Sequence, residues 1–199
     1  MTEQYDVIVI GGGPGGYVAA IRAAQLKMKV AVIERENMGG VCLNWGCVPA
    51  KSLLRGAELA ALLQDAASFG VNTEVLSLDL GLNVERSREV VRQIVGGVES
   101  LLARHGVTVI RSPGVLSDSR TVMTSEGPVR ARNVILAPGA RPRAIEGIAI
   151  DGTRVLDSRA ALALRDTPKS VVIVGGGCVG VEFADIYAAY GAQVTLVEH

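Results

Sequence analysis

The chain has 199 residues, of which 49% are hydrophobic and 20% charged, with 20 Lys and Arg balanced by 20 Asp and Glu. That composition excludes an intrinsically disordered chain, and the zero formal charge removes any electrostatic case for a nucleic-acid partner. With 24 Gly and only 4% aromatic residues, the chain suits an α/β protein with Gly-rich turns and Val/Ile-rich buried strands.

The first apolar run, Val7 to Ile10, begins too close to Met1 for a signal peptide or cleaved transit sequence to precede it. No apolar stretch reaches membrane-spanning length, so a cytoplasmic protein is expected. Three Cys in a reducing compartment do not make a disulfide scaffold, and a Cys pair there is read first as redox or metal chemistry. The two His, His105 and His199, lie far from the Cys pair in sequence, so no metal site is expected.

In chain order, residues 7 to 34 run as apolar strand, Gly-rich turn, Ala-rich helix, second strand and terminal Glu34. Two cysteines follow, Cys42 and Cys47, around Gly46. Ser52 to Leu63 reads as a helix whose Leu53, Leu54, Leu59, Leu62 and Leu63 form one apolar face. Val84 to His105 is a second amphipathic helix, closed by Gly106 as a C-terminal cap. Val107 to Ile110 reads as a strand, and Thr121 to Met123 with Val129 as an antiparallel excursion turning at Glu126-Gly127-Pro128. Asn133 to Ala137 is a buried strand ending in Pro138-Gly139, and Arg141 to Thr153 is the crossing between domains. Residues 171 to 198 then repeat the opening pattern and end in Glu198.

Each glycine of the repeated turn has its own work. Gly11 and Gly175 permit the tight turn off the strand, Gly13 and Gly177 let backbone approach a pyrophosphate, and Gly16 and Gly180 allow close helix–sheet packing. Phosphates are then favoured at the helix N-terminus, and Glu34 and Glu198 are placed to accept from ribose hydroxyls. A carboxylate repels a 2′-phosphate, so Glu198 points to NAD in preference to NADP. One such turn is a weak signal, but strand, helix and acidic residue all in place twice make two dinucleotide sites the expectation.

Cysteines at i and i+5 in an ideal helix have Cα atoms about 8 to 9 Å apart, beyond the usual disulfide span. Bridging them needs a distorted turn, with which the freedom of Gly46 and the disruption of helical bonding by Pro49 are compatible. Two unbridged, partly buried thiols fit the spacing equally well.

The segment Gly39-Gly40-Val41-Cys42-Leu43-Asn44-Trp45-Gly46-Cys47-Val48-Pro49-Ala50-Lys51 resembles the active-site disulfide signature of the class I pyridine nucleotide-disulfide oxidoreductases. The helix that follows Gly13, through Leu26, is similar to the flavin-site helix of the dihydrolipoamide dehydrogenases, and Leu43 favours the same branch. The resemblance runs over essentially the whole chain in order. It implies a Cys42–Cys47 disulfide, with Cys42 the interchange thiol and Cys47 the thiolate lying against the flavin. Lys51 would reach the flavin N5 region and pair with Glu182, stabilising the charge of reduced flavin and of the Cys47 thiolate.

Flavin binding is carried over onto Gly11, Gly13, Pro14, Gly15 and Gly16, and onto Glu34 and Arg35. Gly40, Val41, Cys42 and Lys51 join them, as do Gly114, Ala137 and Gly139. Nicotinamide nucleotide binding is carried over onto Gly175, Gly177, Gly180, Glu182 and Glu198. Pro138 stands where the family usually has Thr, which removes a hydroxyl and an N–H from that contact. Cys178 is read as a small packing residue and not a third redox thiol.

The expected architecture is therefore α/β with two Rossmann-like units, the second incomplete: residues 1–145 bind FAD and 146–199 begin the NAD domain. The implied activity is oxidation of dihydrolipoamide by NAD. The dithiol would be carried on a 2-oxoacid dehydrogenase complex or the glycine cleavage system, and the complete enzyme would be a homodimer. The family's later domains, with a His-Glu acid/base pair that His199 cannot supply, are missing, so the chain alone is expected to be inactive. Mercuric or glutathione reductase chemistry is the alternative within the class, and a non-catalytic nucleotide-binding module the alternative outside it.

Overall fold

The computed structural model describes residues 4–72, 77–143 and 145–198. His199 lies outside them. The chain divides into two compact units, Met1–Asn44 with Arg92–Arg141, and Trp45–Val91 with Pro142–His199.

The first unit is built on a six-stranded sheet. Its strands are β1 (Gln4–Ile10), β2 (Val30–Glu34), β3 (Thr108–Arg111), β4 (Val115–Asp118), β5 (Thr121–Thr124) and β6 (Gly127–Leu136), in the order β3-β2-β1-β6-β5-β4. β1 pairs in parallel with β2 and β6, and β2 with β3, while β5 runs antiparallel to β4 and β6. Both faces of β1 are covered, which is why it reads as an unbroken apolar run. Val7 and Val9 face a core with Ala20 and Ala23 of helix α1 (Pro14–Gln25) and with Val98 and Leu102. Ile8 faces the other way, with Tyr5, Ile33, Val122 and Ala131.

In the second unit, α3 (Cys47–Gln64) and α6 (Cys178–Ala189) pack with the two-stranded parallel sheet β7 (Ser170–Val174) and β8 (Gln193–Val197). Leu53, Ala57, Leu80, Val84, Leu162, Phe183, Ile186 and Tyr187 form its core. Lys51 meets Glu182, and further on Gln64 Nε2 donates to the Ala189 carbonyl at 3.3 Å, so α3 and α6 run side by side in the same direction. The other elements are α2 (Gly40–Trp45), a 3-10 turn (Ala66–Phe69), α4 (Leu80–Arg104) and the one-turn α5 (Ser158–Ala161).

Several sequence expectations need correction. The helix expected to begin at Ser52 begins at Cys47, because Pro49 falls in its first turn, where no intrahelical N–H bond is required. Its buried stripe is Ala50, Leu53, Ala57 and Ala60, whereas Leu59, Leu62 and Leu63 are exposed. Small residues let α6 approach, and the leucines fall off that face. The two expected segments around Val129 and Asn133 are one ten-residue strand, β6, and its turn with β5 is Ser125-Glu126, since Thr124 pairs with Gly127. The helix ending near His105 is α4, and Gly106, at φ +70°, takes the left-handed position that closes it. Cys178 is exposed as the first residue of α6 and is not a packing residue. Among the described residues no helix is long and apolar enough to cross a membrane.

Candidate functional site

The two glycine turns are near copies in three dimensions. Gly11 and Gly175 have φ of +104° and +108°, and their N–H groups donate to the Ile33 and Val197 carbonyls, both at 2.8 Å. That left-handed geometry is costly for any residue with a side chain. A Cβ on Gly16 would stand 1.8 Å from the Gly11 carbonyl oxygen, and one on Gly180 would stand 1.9 Å from that of Gly175. The third glycine is thus fixed by the turn's own backbone more than by the helix–sheet contact.

The middle glycines differ. Nothing lies within 4 Å of a Cβ on Gly177, and the nearest atom to one on Gly13 is the Gly40 Cα at 3.9 Å. Space is therefore left open directly before α1 and α6, at helix N-termini, which favour negative charge. Pro14 opens α1, where its missing N–H is no loss.

The acidic residues are held by a contact that sequence reasoning missed. Gly12 N–H donates to Glu34 Oε2 at 2.6 Å, and Glu36 N–H to Oε1 at 2.7 Å. Gly176 N–H donates to Glu198 in the same way. The signal was available in the constant spacing, 22 residues in both pairs. Arg35 is exposed beside Glu34. Gly114 packs on Ile33 and Val122, and Ala137 N–H donates to the Ile10 carbonyl at 2.8 Å. Gly139 follows at φ +75°. Gly11 to Gly16, Glu34, Gly114 and Ala137 to Gly139 thus gather past the carboxyl ends of the parallel strands, the ligand edge of an open α/β sheet.

The cysteine segment starts against this edge. Gly39 N–H donates to the Gly12 carbonyl at 2.8 Å, and Asn44 Nδ2 donates to the Met38 and Gly40 carbonyls at 3.0 and 2.9 Å. Asn44 is therefore the brace of the Gly39-Gly40 turn, another residue that the sequence reading passed over. Val41 is exposed and Cys42 half-buried on α2. Gly46 breaks the helix at φ −143°, ψ −119°, and exposed Cys47 opens α3. The distortion lies at Gly46 and not at Pro49. Among the described residues no disulfide is formed, so the expected Cys42–Cys47 bond is not present in this structure.

In the second unit the expected Lys51–Glu182 pair is made. Cys47 and Lys51 are one turn apart on α3, and Cys178 and Glu182 one turn apart on α6. Glu182 accepts from the Lys51 ammonium and raises its pKa above the ordinary lysine value, outweighing the smaller lowering by desolvation. The arrangement places a held cation within one turn of a thiol on α3.

Known proteins resemble this chain throughout. It is 48% identical to a dihydrolipoyl dehydrogenase of Chlorobaculum parvum, over 99% of this chain and 43% of that protein. It is 44% identical to the dihydrolipoyl dehydrogenase of Zymomonas mobilis, over 100% of this chain and 44% of the relative. The chain thus spans less than half the length of these relatives. Among solved structures, LpdA of Mycobacterium tuberculosis superposes with a TM-score of 0.86 at 31% identity, covering 96% of this chain and 44% of that one. The HOCl-induced flavoprotein disulfide reductase RclA of Escherichia coli superposes at 0.83 and 27% identity, covering 96% and 41%. The family model for pyridine nucleotide-disulphide oxidoreductases matches residues 5–199, and the chain belongs to that family.

Proposed function

We propose that this chain carries the flavin, nicotinamide and thiol sites of a dihydrolipoyl dehydrogenase, which oxidises dihydrolipoamide with NAD through Cys42, Cys47 and FAD. The observation that carries the reading is the Lys51–Glu182 pair, which joins the helix opened by Cys47 to the helix of the second glycine turn. Residues 1 to about 145 are read as the flavin segment and 146 to 199 as the start of the NAD segment.

The residues fit both nucleotides. Gly13 and Gly177 leave the cradle that a Cβ would fill. Each oxygen of Glu34 accepts one N–H and keeps a lone pair for a ribose hydroxyl. Gly40, Gly114, Ala137 and Gly139 complete the flavin side. When bound, flavin supplies a two-electron carrier between the thiols and nicotinamide.

The chain's own part is thiol–disulfide exchange. A substrate thiolate attacks Cys42 sulfur of the joined pair, and Cys47 leaves as a thiolate. The second substrate thiol then closes the lipoyl disulfide and releases Cys42, so two electrons pass to the pair and two protons are given up. Lys51, held charged by Glu182, favours the anion that forms on Cys47. Dihydrolipoamide borne by a 2-oxoacid dehydrogenase complex or by the glycine cleavage system is the substrate in this reading, and a cytoplasmic homodimer the working form.

The test is anaerobic mixing of the oxidised protein with dihydrolipoamide, followed by thiol counting. Two new thiols per chain, with one lipoamide formed, support the reading. Reduction by other dithiols or nicotinamides but not by dihydrolipoamide overturns it in favour of another reductase.

A further inference from the structure

Trp45 is the single tryptophan of the chain and stands between the two cysteines. It ends α2 one residue before the Gly46 break and packs half-buried against the core of the second unit. The Arg159 guanidinium lies over its ring, 3.7 Å from the centroid. Arg159 belongs to α5, only one turn long but anchored three ways. Asp157 Oδ1 accepts the Ala160 N–H at 2.8 Å, Tyr187 Oη donates to the Ala161 carbonyl at 3.1 Å, and Leu162 is 2% exposed. The cation is thus presented from a fixed platform onto the residue at which the chain turns toward Cys47. Gly46 has no side chain of its own to hold that turn.

We propose that Arg159 is a positioning residue for the cysteine segment: by stacking on Trp45 it holds the residue that precedes Gly46 and so sets how readily Cys42 and Cys47 join. This rests on the redox reading of the two cysteines given above. A held turn loses less conformational freedom when the pair closes, so loss of the stack disfavours the disulfide.

The experiment equilibrates the whole protein with glutathione buffers. Cys42 and Cys47 there give two electrons and two protons to glutathione disulfide, forming one S–S bond and two glutathione molecules. Alkylation and mass measurement read the ratio, and Trp45 emission, the chain's single tryptophan signal, reads the stack. Arg159→Ala lowers the equilibrium constant about two- to five-fold, the size of an exposed cation–π contact. Arg159→Lys, which keeps the cation, retains most of it. Trp45→Leu gives the same fall, and Arg159→Ala adds nothing in that background. Arg159 is exposed, so its variants keep the fold.

An unchanged constant and unchanged emission in Arg159→Ala overturn the positioning role while leaving the redox reading in place, as do additive effects of the two changes. If the wild-type pair never oxidises, the redox reading falls and the proposal falls with it.

Discussion

Glu198 accepts the backbone N–H of Gly176, as Glu34 accepts that of Gly12 at 2.6 Å. The second carboxylate is thereby fixed at the end of β8 beside the open cradle of Gly177. If Glu198 faces the ribose of the nicotinamide nucleotide as proposed, Glu198→Ala in the complete enzyme removes a charge that would repel a 2′-phosphate and an acceptor for the 2′-hydroxyl. The NAD over NADP preference in kcat/KM should fall by about tenfold, corresponding to about 1.4 kcal/mol. An unchanged ratio in steady-state kinetics would assign the choice to other residues.

The glycines of the second turn separate folding from binding. Gly180→Ala drives a Cβ to 1.9 Å from the Gly175 carbonyl oxygen, so backbone must shift, whereas Gly177→Ala fills space that the protein leaves empty. Gly180→Ala should therefore cost several kcal/mol, while Gly177→Ala stays within about 0.5 kcal/mol of wild type and loses nicotinamide nucleotide affinity. Urea melts paired with nucleotide titrations decide this. A Gly177→Ala protein that binds normally would show that the open space at Gly177 does not hold the nucleotide.

Much of this was legible because the repeat is written in covalent terms: a glycine forced to positive φ, a glycine with no room for Cβ, and a carboxylate at constant spacing. Gly11, Gly16 and Glu34 announce themselves for that reason, and so do their counterparts in the second turn. Contacts between segments distant in sequence were not legible. Nothing in the residues around Trp45 indicates that Arg159 covers it, and counting leucines on α3 pointed to the wrong face because its partner α6 selects small residues. β4 was missed because four exposed residues carry no apolar alternation. In the sequence Asn44 is only one residue of the Cys42 motif, whereas in the fold its side chain braces the turn before Cys42.

Thiol chemistry tests the cysteine assignment directly. Cys178 is exposed on α6 and is outside the proposed pair. After mild oxidation and denaturation, one thiol should alkylate, at Cys178, and all three only after reduction. Finding three reactive thiols in the oxidised sample would sink the Cys42–Cys47 pairing.

The last expectation concerns alkaline pH. Tyr187 is 3% exposed, stacks on Phe183 with ring centroids 5.8 Å apart, and donates its hydroxyl to the Ala161 carbonyl at 3.1 Å. Burial disfavours the phenolate and pushes its pKa up to about 12. The unfolded chain titrates it near the ordinary value of about 10. Below that pH the proton is bound in both states and stability does not depend on it. Between the two values only the unfolded chain gives it up, so stability falls as pH rises, by on the order of 3 kcal/mol in all. Burial also raises Tyr190, which contributes in the same direction. Tyr187→Phe should cost about 0.5–1.5 kcal/mol at pH 8, for the lost hydrogen bond, and then lose less than wild type on going to pH 11.5. Urea midpoints of both proteins at the two pH values give the comparison, and parallel losses would mean that Tyr187 does not titrate as described. Because the same hydroxyl holds Ala161 two residues from Arg159, the substitution should also alter Trp45 emission, tying the stability of the second unit to the turn between the cysteines.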